Sequence, residues 1–181
     1  EFIETDINRV KGVNKEKSER FTRAMKNEGI QFPIKNIYGL PSTSKSKDDG
    51  YFMVDNKDDF FHLKMYDGEP QCHKIPLPVG MQVNGMNCLV DDVNYGYVYD
   101  QNYNIYLMRI KDYSFFQLPI YDYKDYGSLI TMSEDLFFYT YQLYGLDRVK
   151  IYVVDKEHNL LASETLVYPL YENSKVGQRE N

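Results

Sequence analysis

Three histidines and two cysteines are the whole supply of imidazole and thiol in 181 residues, and tryptophan is absent. With so few histidines, a nucleophile–histidine–acid arrangement has few candidates. No G-x-S-x-G elbow occurs, and no Ser or Cys sits in a recognisable His context. Two cysteines do not make a disulfide framework; Cys72 and Cys88 fit either a pair or two reduced, buried thiols. His62, Cys72, His73 and Cys88 are of metal-ligand type, yet their spacing matches no zinc finger, zinc ribbon or H-E-x-x-H pattern. Cys72 and His73 are neighbours on a predicted strand, so they point to opposite faces. The P-loop and dinucleotide fingerprints are both missing, and no cofactor is expected. There is no basic tract in a chain of net charge −6 and pI about 5.1, which argues against an electrostatic grip on nucleic acid. The apolar runs fall far short of the ~20 residues that a bilayer span needs.

What is present is tyrosine and phenylalanine, 18 and 10 respectively, residues suited to strands and half-wet faces. The chain begins at Glu1 without a methionine and reads as a piece of a longer precursor. Residues 1–13 read as an extended lead-in. "NKEKSERFTRAMKNEGI" is the one convincing helix. Asn14 suits its N-cap, Glu16 its first turn, and Phe21, Ala24 and Met25 form a short apolar stripe. Gly29 sits at the left-handed C′ position, with Ile30 after it. "YGLPSTSKSKDDG" (38–50) is a polar loop. Short aromatic or β-branched runs then follow, punctuated by Asp, Asn, Gly or Pro. They are "YFMVD", "FFHLKMY", "QCHKIPL", "NCLVDD", "YGYVYD", "NIYLMRI", "SFFQLPI", "SLITMS", "LFFYTYQLY", "RVKIYVVD" and "NLLASETLVY". Residues 1–30 thus hold the lead-in and helix, 31–171 a β repeat and 172–181 a polar tail, in one structural domain.

The repeat lies in the turns. "MVDNKDDFFHLK", "YVYDQNYNIYLMR" and "YVVDKEHNLLAS" share an apolar run, an Asp, three variable residues, an Asp or Asn, and a second apolar run. The anchors are Asp55 with Asp59, Asp100 with Asn104, and Asp155 with Asn159. An Asp at a strand end accepts from backbone amides just ahead of it, which closes a hairpin and sets its register. Each unit ends on Pro and an aliphatic: Pro76-Leu77, Pro119-Ile120, Pro169-Leu170. The third unit lacks the second turn of the others ("YDGEPQ", "KDYS"), so its Asp turn is expected to join the last pair of strands. The predicted fold is mainly β: repeated antiparallel meanders in an open propeller-like or twisted sheet assembly. The N-terminal α-helix is expected to cap one edge.

Acidic clusters invite a metal. Counted from Asp55, however, an EF-hand loop meets Lys57 at position 3, Phe60 at 6 and Tyr66 at 12, and fails at each. "DD" at 91–92 and "YDYKDY" at 121–126 read as acidic turns. A facing carboxylate pair for glycoside hydrolysis is available in principle among 27 acidic residues, but no pair is singled out. In "LFFYTYQLY", strand alternation places Phe138 and Thr140 on one face and Phe137, Tyr139 and Tyr141 on the other.

The segments "KEKSERFTRAMKNEGIQFP" and "IYGLPSTSKSKDDGYFMVDNKDDFFHLK" resemble the C-terminal part of an uncharacterised bacterial family, domain of unknown function 4857. The shared signature is a helix, Phe32-Pro33, Gly39, Pro41 to Thr43, Asp48, Gly50-Tyr51 and Val54-Asp55-Asn56. It covers most of the chain and is clearest between residues 14 and 77. The resemblance implies a membrane-anchored protein with an N-terminal hydrophobic segment, this domain on the periplasmic side, and a loose link to transporter components. It carries no catalytic residues. The expected function is a non-catalytic extracytoplasmic binding module with a protein partner, accessory to a transport system. The alternative is a carbohydrate-binding or glycan-processing protein using Tyr faces and an acidic pair.

Overall fold

A computed structural model describes residues 3–6, 9–40, 48–126 and 130–168, with side chains from Asn14 onward. Pro41 to Thr43, the Pro169-Leu170 pair and the 172–181 tail lie outside the described residues. The chain divides into two compact units, one ending at Gln117 and one starting at Leu118.

In the first unit, β1 (Ile3–Asp6) and β2 (Arg9–Val13) form an antiparallel hairpin where the sequence suggested only an extended lead-in. Helix α1 (Lys15–Asn27) follows. The Asn14 side chain accepts from the Lys17 amide at 2.9 Å. At the other end Gly29 takes a φ of 91°. The Gly29 amide then reaches the Lys26 carbonyl, and the Ile30 amide reaches the Met25 carbonyl. This is a Schellman closure, and only a residue tolerant of positive φ completes it cheaply.

Two four-stranded antiparallel meanders come next. The first sheet holds β3 (Asn36–Tyr38), β4 (Tyr51–Val54), β5 (Phe60–Tyr66) and β6 (Glu69–Ile75), in that order. The second holds β7 (Val83–Cys88), β8 (Asn94–Asp100), β9 (Ile105–Arg109) and β10 (Phe115–Gln117). The second unit carries the short helix α2 (Tyr123–Tyr126) and a third such sheet. Its strands are β11 (Ile130–Glu134), β12 (Tyr139–Tyr144), β13 (Arg148–Val154) and β14 (Leu160–Val167). The protein is therefore mainly β, in repeated antiparallel meanders with one N-terminal helix. Strand β3 was not expected, and β7 begins upstream of the run assigned to it.

Strand alternation gives the first sheet two buried faces. Met53, Phe61, Leu63 and Cys72 face one way and pack with Phe21, Met25 and Ile30. Phe52, Val54, Phe60 and Ile75 face the other way and pack with Met86, Tyr95, Val98 and Met108 of the second sheet. Helix, first sheet and second sheet thus form three layers. The helix covers a sheet face; capping an edge is a minor part of its role. Its apolar stripe needs apolar surface, which a strand edge does not offer. Edge protection amounts to the Glu28 carboxylate accepting from the Lys74 amide of β6 at 2.9 Å. Arg20 also binds the Gly68 carbonyl at the β5–β6 turn. That turn, Asp67-Gly68, has both residues at positive φ, the type I′ geometry of a two-residue hairpin. In β8, Gly96 is obligatory, because a Cβ there would lie 2.2 Å from the Asn87 carbonyl oxygen.

Phe61 is 1% exposed beneath α1. Replacing it with alanine is expected to cost about 3–5 kcal/mol, read as a fall in the urea midpoint. A loss below about 1 kcal/mol would show that the helix does not pack on this face.

Candidate functional site

The six residues singled out in the sequence stand in three similar hairpin loops. Asp55 Oδ1 accepts from the Lys57 and Asp59 amides at 2.8 and 3.0 Å. Asp100 Oδ1 accepts from the Asn102 and Asn104 amides, both at 2.8 Å. Asp155 Oδ1 accepts from the Glu157 and Asn159 amides at 3.0 and 2.8 Å. In each loop the residue before the closing Asp or Asn has positive φ: Asp58, Tyr103 and His158. The geometry is a tight turn followed by a left-handed residue, a common three-residue hairpin. Asn104 and Asn159 add a side-chain amide bond to Oδ2 of their aspartates. Asp59 carries no such donor. Its carboxylate pairs with Lys74 instead, and Asp55 Oδ2 takes the Gln31 amide at 2.9 Å. The Asp55 carboxylate is thus engaged by three backbone amides, which leaves little for a cation. As the missing second turn suggested, the first two loops join the middle strands of their sheets and the Asp155 loop joins the last pair.

The other ligand-type residues do not converge on one point. Cys72 faces α1, and burial pushes its thiol up to about 12. His73 pairs across strands with His62 on the opposite face. Cys72 and Cys88 are not joined in a disulfide. Among the described residues, no group of three or more His, Cys, Asp or Glu could hold a metal ion.

The densest polar arrangement was not legible in the sequence. His62 is 1% exposed, on the β5 face toward the second sheet. Its ring stacks on Phe52 with centroids 4.3 Å apart. Tyr95 and Tyr113 meet it edge-on at 5.1 and 5.7 Å. Nε2 bonds the Asp49 carbonyl, and a carbonyl only accepts, so Nε2 carries the proton. Nδ1 is then an acceptor, filled by the Tyr113 hydroxyl at 2.8 Å. The Tyr95 ring stacks on that of Tyr113 with centroids 5.5 Å apart. Burial lowers the His62 pKa to about 4, aided by Lys64 and His73 and opposed by the Asp49 carbonyl and carboxylate. It raises Tyr95 and Tyr113. At neutral pH the cluster is uncharged, and it joins β4 and β5 to β8 and the β9–β10 turn. Tyr113 reaches it from a positive φ of 57° in that turn, a conformation that costs about 1 kcal/mol or more for such a residue. His62 was noted in the sequence only as a ligand type, and Tyr113 lies 51 residues away.

The aromatic clusters divide. Tyr95, Tyr97, Tyr99, Tyr123, Tyr126 and Tyr141 are buried. Phe137 and Phe138 are not strand residues as the alternation implied, because they lie in the β11–β12 turn. Asp135 Oδ1 accepts from the Phe137 and Phe138 amides at 2.7 and 2.8 Å, which ends the strand and swings both rings outward.

The family model for Domain of unknown function (DUF4857) matches residues 1–154. The chain belongs to this family. No curated protein and no solved structure matches it. The DUF4857 match holds both layered sheets of the first unit and stops one residue before the Asp155 loop.

The unfolded His62 ring titrates near 6.5 and the folded one near 4. The stability from keeping it neutral is therefore full above pH 6.5 and is lost as pH falls toward 4. Urea melts should show about 2 kcal/mol less stability at pH 5 than at pH 7, and His62→Gln should flatten that slope. An unchanged slope would mean that His62 is not held neutral. Asp100 is 3% exposed, so Asp100→Ala strands part-buried amides and removes a buried carboxylate from its partners, and should cost about 2–3 kcal/mol. Asp155→Ala, in a more open loop, should cost about 1 kcal/mol. Equal losses would refute this ranking.

Proposed function

We propose that this member of DUF4857 is a non-catalytic interaction module in the extracytoplasmic part of a membrane-anchored protein. It binds a protein partner, as an accessory to a transport system, and its three meanders are propeller-like repeats. The observation that carries this reading is the β11–β12 turn. Leu136, Phe137 and Phe138 are 86%, 68% and 40% exposed. Burying each such side chain is worth about 1.5–3 kcal/mol, so three consecutive ones held out of the core favour a contact surface. The periplasmic setting follows from what the family resemblance implies. Among the described residues, no helix is long and apolar enough to cross a membrane; in this reading the anchor belongs to a segment outside this chain.

Two further observations favour binding over turnover. The described carboxylates that shift, Asp112, Asp135, Asp147 and Asp155, all shift downward. A catalytic acid is raised instead. Most tyrosines of the three clusters face inward, away from any glycan.

The test is a pull-down with the intact membrane-anchored protein, comparing the native sequence with Leu136→Ser/Phe137→Ser. A partner retained by the native protein should be lost by the variant, while thermal melting is unchanged. The same partners recovered with both would remove the turn from the interface.

A further inference from the structure

The exposed turn projects from an ordered, acidic base. Lys156, in the neighbouring β13–β14 loop, reaches Glu134 Oε1 at 2.8 Å and also bonds the Asp135 carbonyl. Its ammonium lies 4.2 Å from the centroid of the Tyr139 ring, and the His158 ring stacks on Tyr139 at 4.8 Å. His158 Nδ1 also meets the Tyr141 hydroxyl at 3.2 Å. The two loops at this end of the third sheet are thus fastened to each other through Tyr139, Lys156 and His158. A tip on such a base loses little freedom on binding, which lowers the cost of association.

The charges around the tip sum to a negative balance. Lys156 and Glu134 offset each other as an ion pair. Asp135, Asp155 and Glu157 remain, at the root of the tip and on the loop bolted to it. Amide donors hold the Asp135 and Asp155 carboxyls below the usual range, so both stay ionised well into acid. An apolar knob with an acidic collar repels an anionic bilayer. It complements an apolar cleft with a basic rim.

We propose that Leu136, Phe137 and Phe138 insert into an apolar cleft of a partner protein whose rim carries lysine or arginine, with Asp135, Asp155 and Glu157 facing that rim. This rests on the interaction reading above and adds the chemistry of the partner. The rim sets orientation and the rate of encounter, and the cleft supplies the apolar contact.

The probes are two synthetic amphipathic helices, one of leucine and lysine and one of leucine and glutamate, together with phosphatidylglycerol vesicles. Binding to the full chain is followed by amide NMR shifts. The leucine–lysine peptide should shift resonances of residues 134–138 and 155–158. Its affinity should fall about tenfold or more between low salt and about 0.5 M salt. Leu136→Ser/Phe137→Ser should abolish the effect. Glu157→Lys, an exposed change, should weaken binding several-fold without altering the melting curve. Equal binding of the leucine–glutamate peptide, binding of the vesicles instead, or shifts elsewhere would overturn the proposal. Should the serine pair abolish partner capture in the pull-down while Glu157→Lys and salt do nothing to it, the basic rim is wrong and the interaction reading stands. Should the serine pair leave capture intact, both fall.

Discussion

A carboxylate at the end of a strand, accepting two backbone amides of the loop ahead, is the constraint on which the rest of the first unit depends. Asp55 and Asp100 each fix where one strand stops and the next begins. In a strand, a slip of one residue exchanges the two faces. The Asp55 loop therefore decides that Phe60 and His62 look toward the second sheet while Phe61 and Leu63 look toward the helix. Both cores of the unit inherit that decision. Burial of the Asp55 carboxylate is part of the device: a carboxylate with three amide donors is satisfied without water and can sit beneath packed side chains.

Features written in local chemistry were legible in the sequence. The caps of α1 are set by Asn14 and Gly29 within a few residues of the bonds they make. The three hairpin loops follow from Asp and a partner four positions on. The placement of the third loop followed from a turn that was missing. What could not be read depends on distance along the chain. His62, Tyr95 and Tyr113 come from separate hairpins and meet only after two sheets pack. Tyr113 also occupies a backbone conformation for which Gly or Asn would be the signal. At 135–138, aromatic strand propensity pointed one way and the Asp135 side chain the other. Two amide bonds outweighed a preference that reflects packing more than backbone. The helix covers a sheet face as well as guarding the β6 edge, for a reason visible only once the first sheet proved apolar on both sides.

The two units illustrate different uses of the same building block. In the first, a meander is closed off by a helix on one face and a neighbouring sheet on the other. In the second, the Asp loop has moved to the final strand pair. The corresponding end of the sheet carries an outward apolar turn steadied by a lysine, a histidine and a tyrosine ring. The match to DUF4857 ends at Val154, the last residue of β13, so the Asp155 loop and β14 lie beyond what the family model describes.

The Tyr113 hydroxyl and the His62 imidazole between the two sheets also have a direction. The Asp49 carbonyl has no proton to give, so it fixes the His62 tautomer, which fixes Tyr113 as donor to Nδ1. Three linked groups superficially resemble a proton wire, but a wire must be able to run both ways by exchanging every donor for an acceptor. This one is closed at the Asp49 end. What the sequence placed between its sheets is a fixed row of dipoles, able to orient rings and unable to carry charge across the layer.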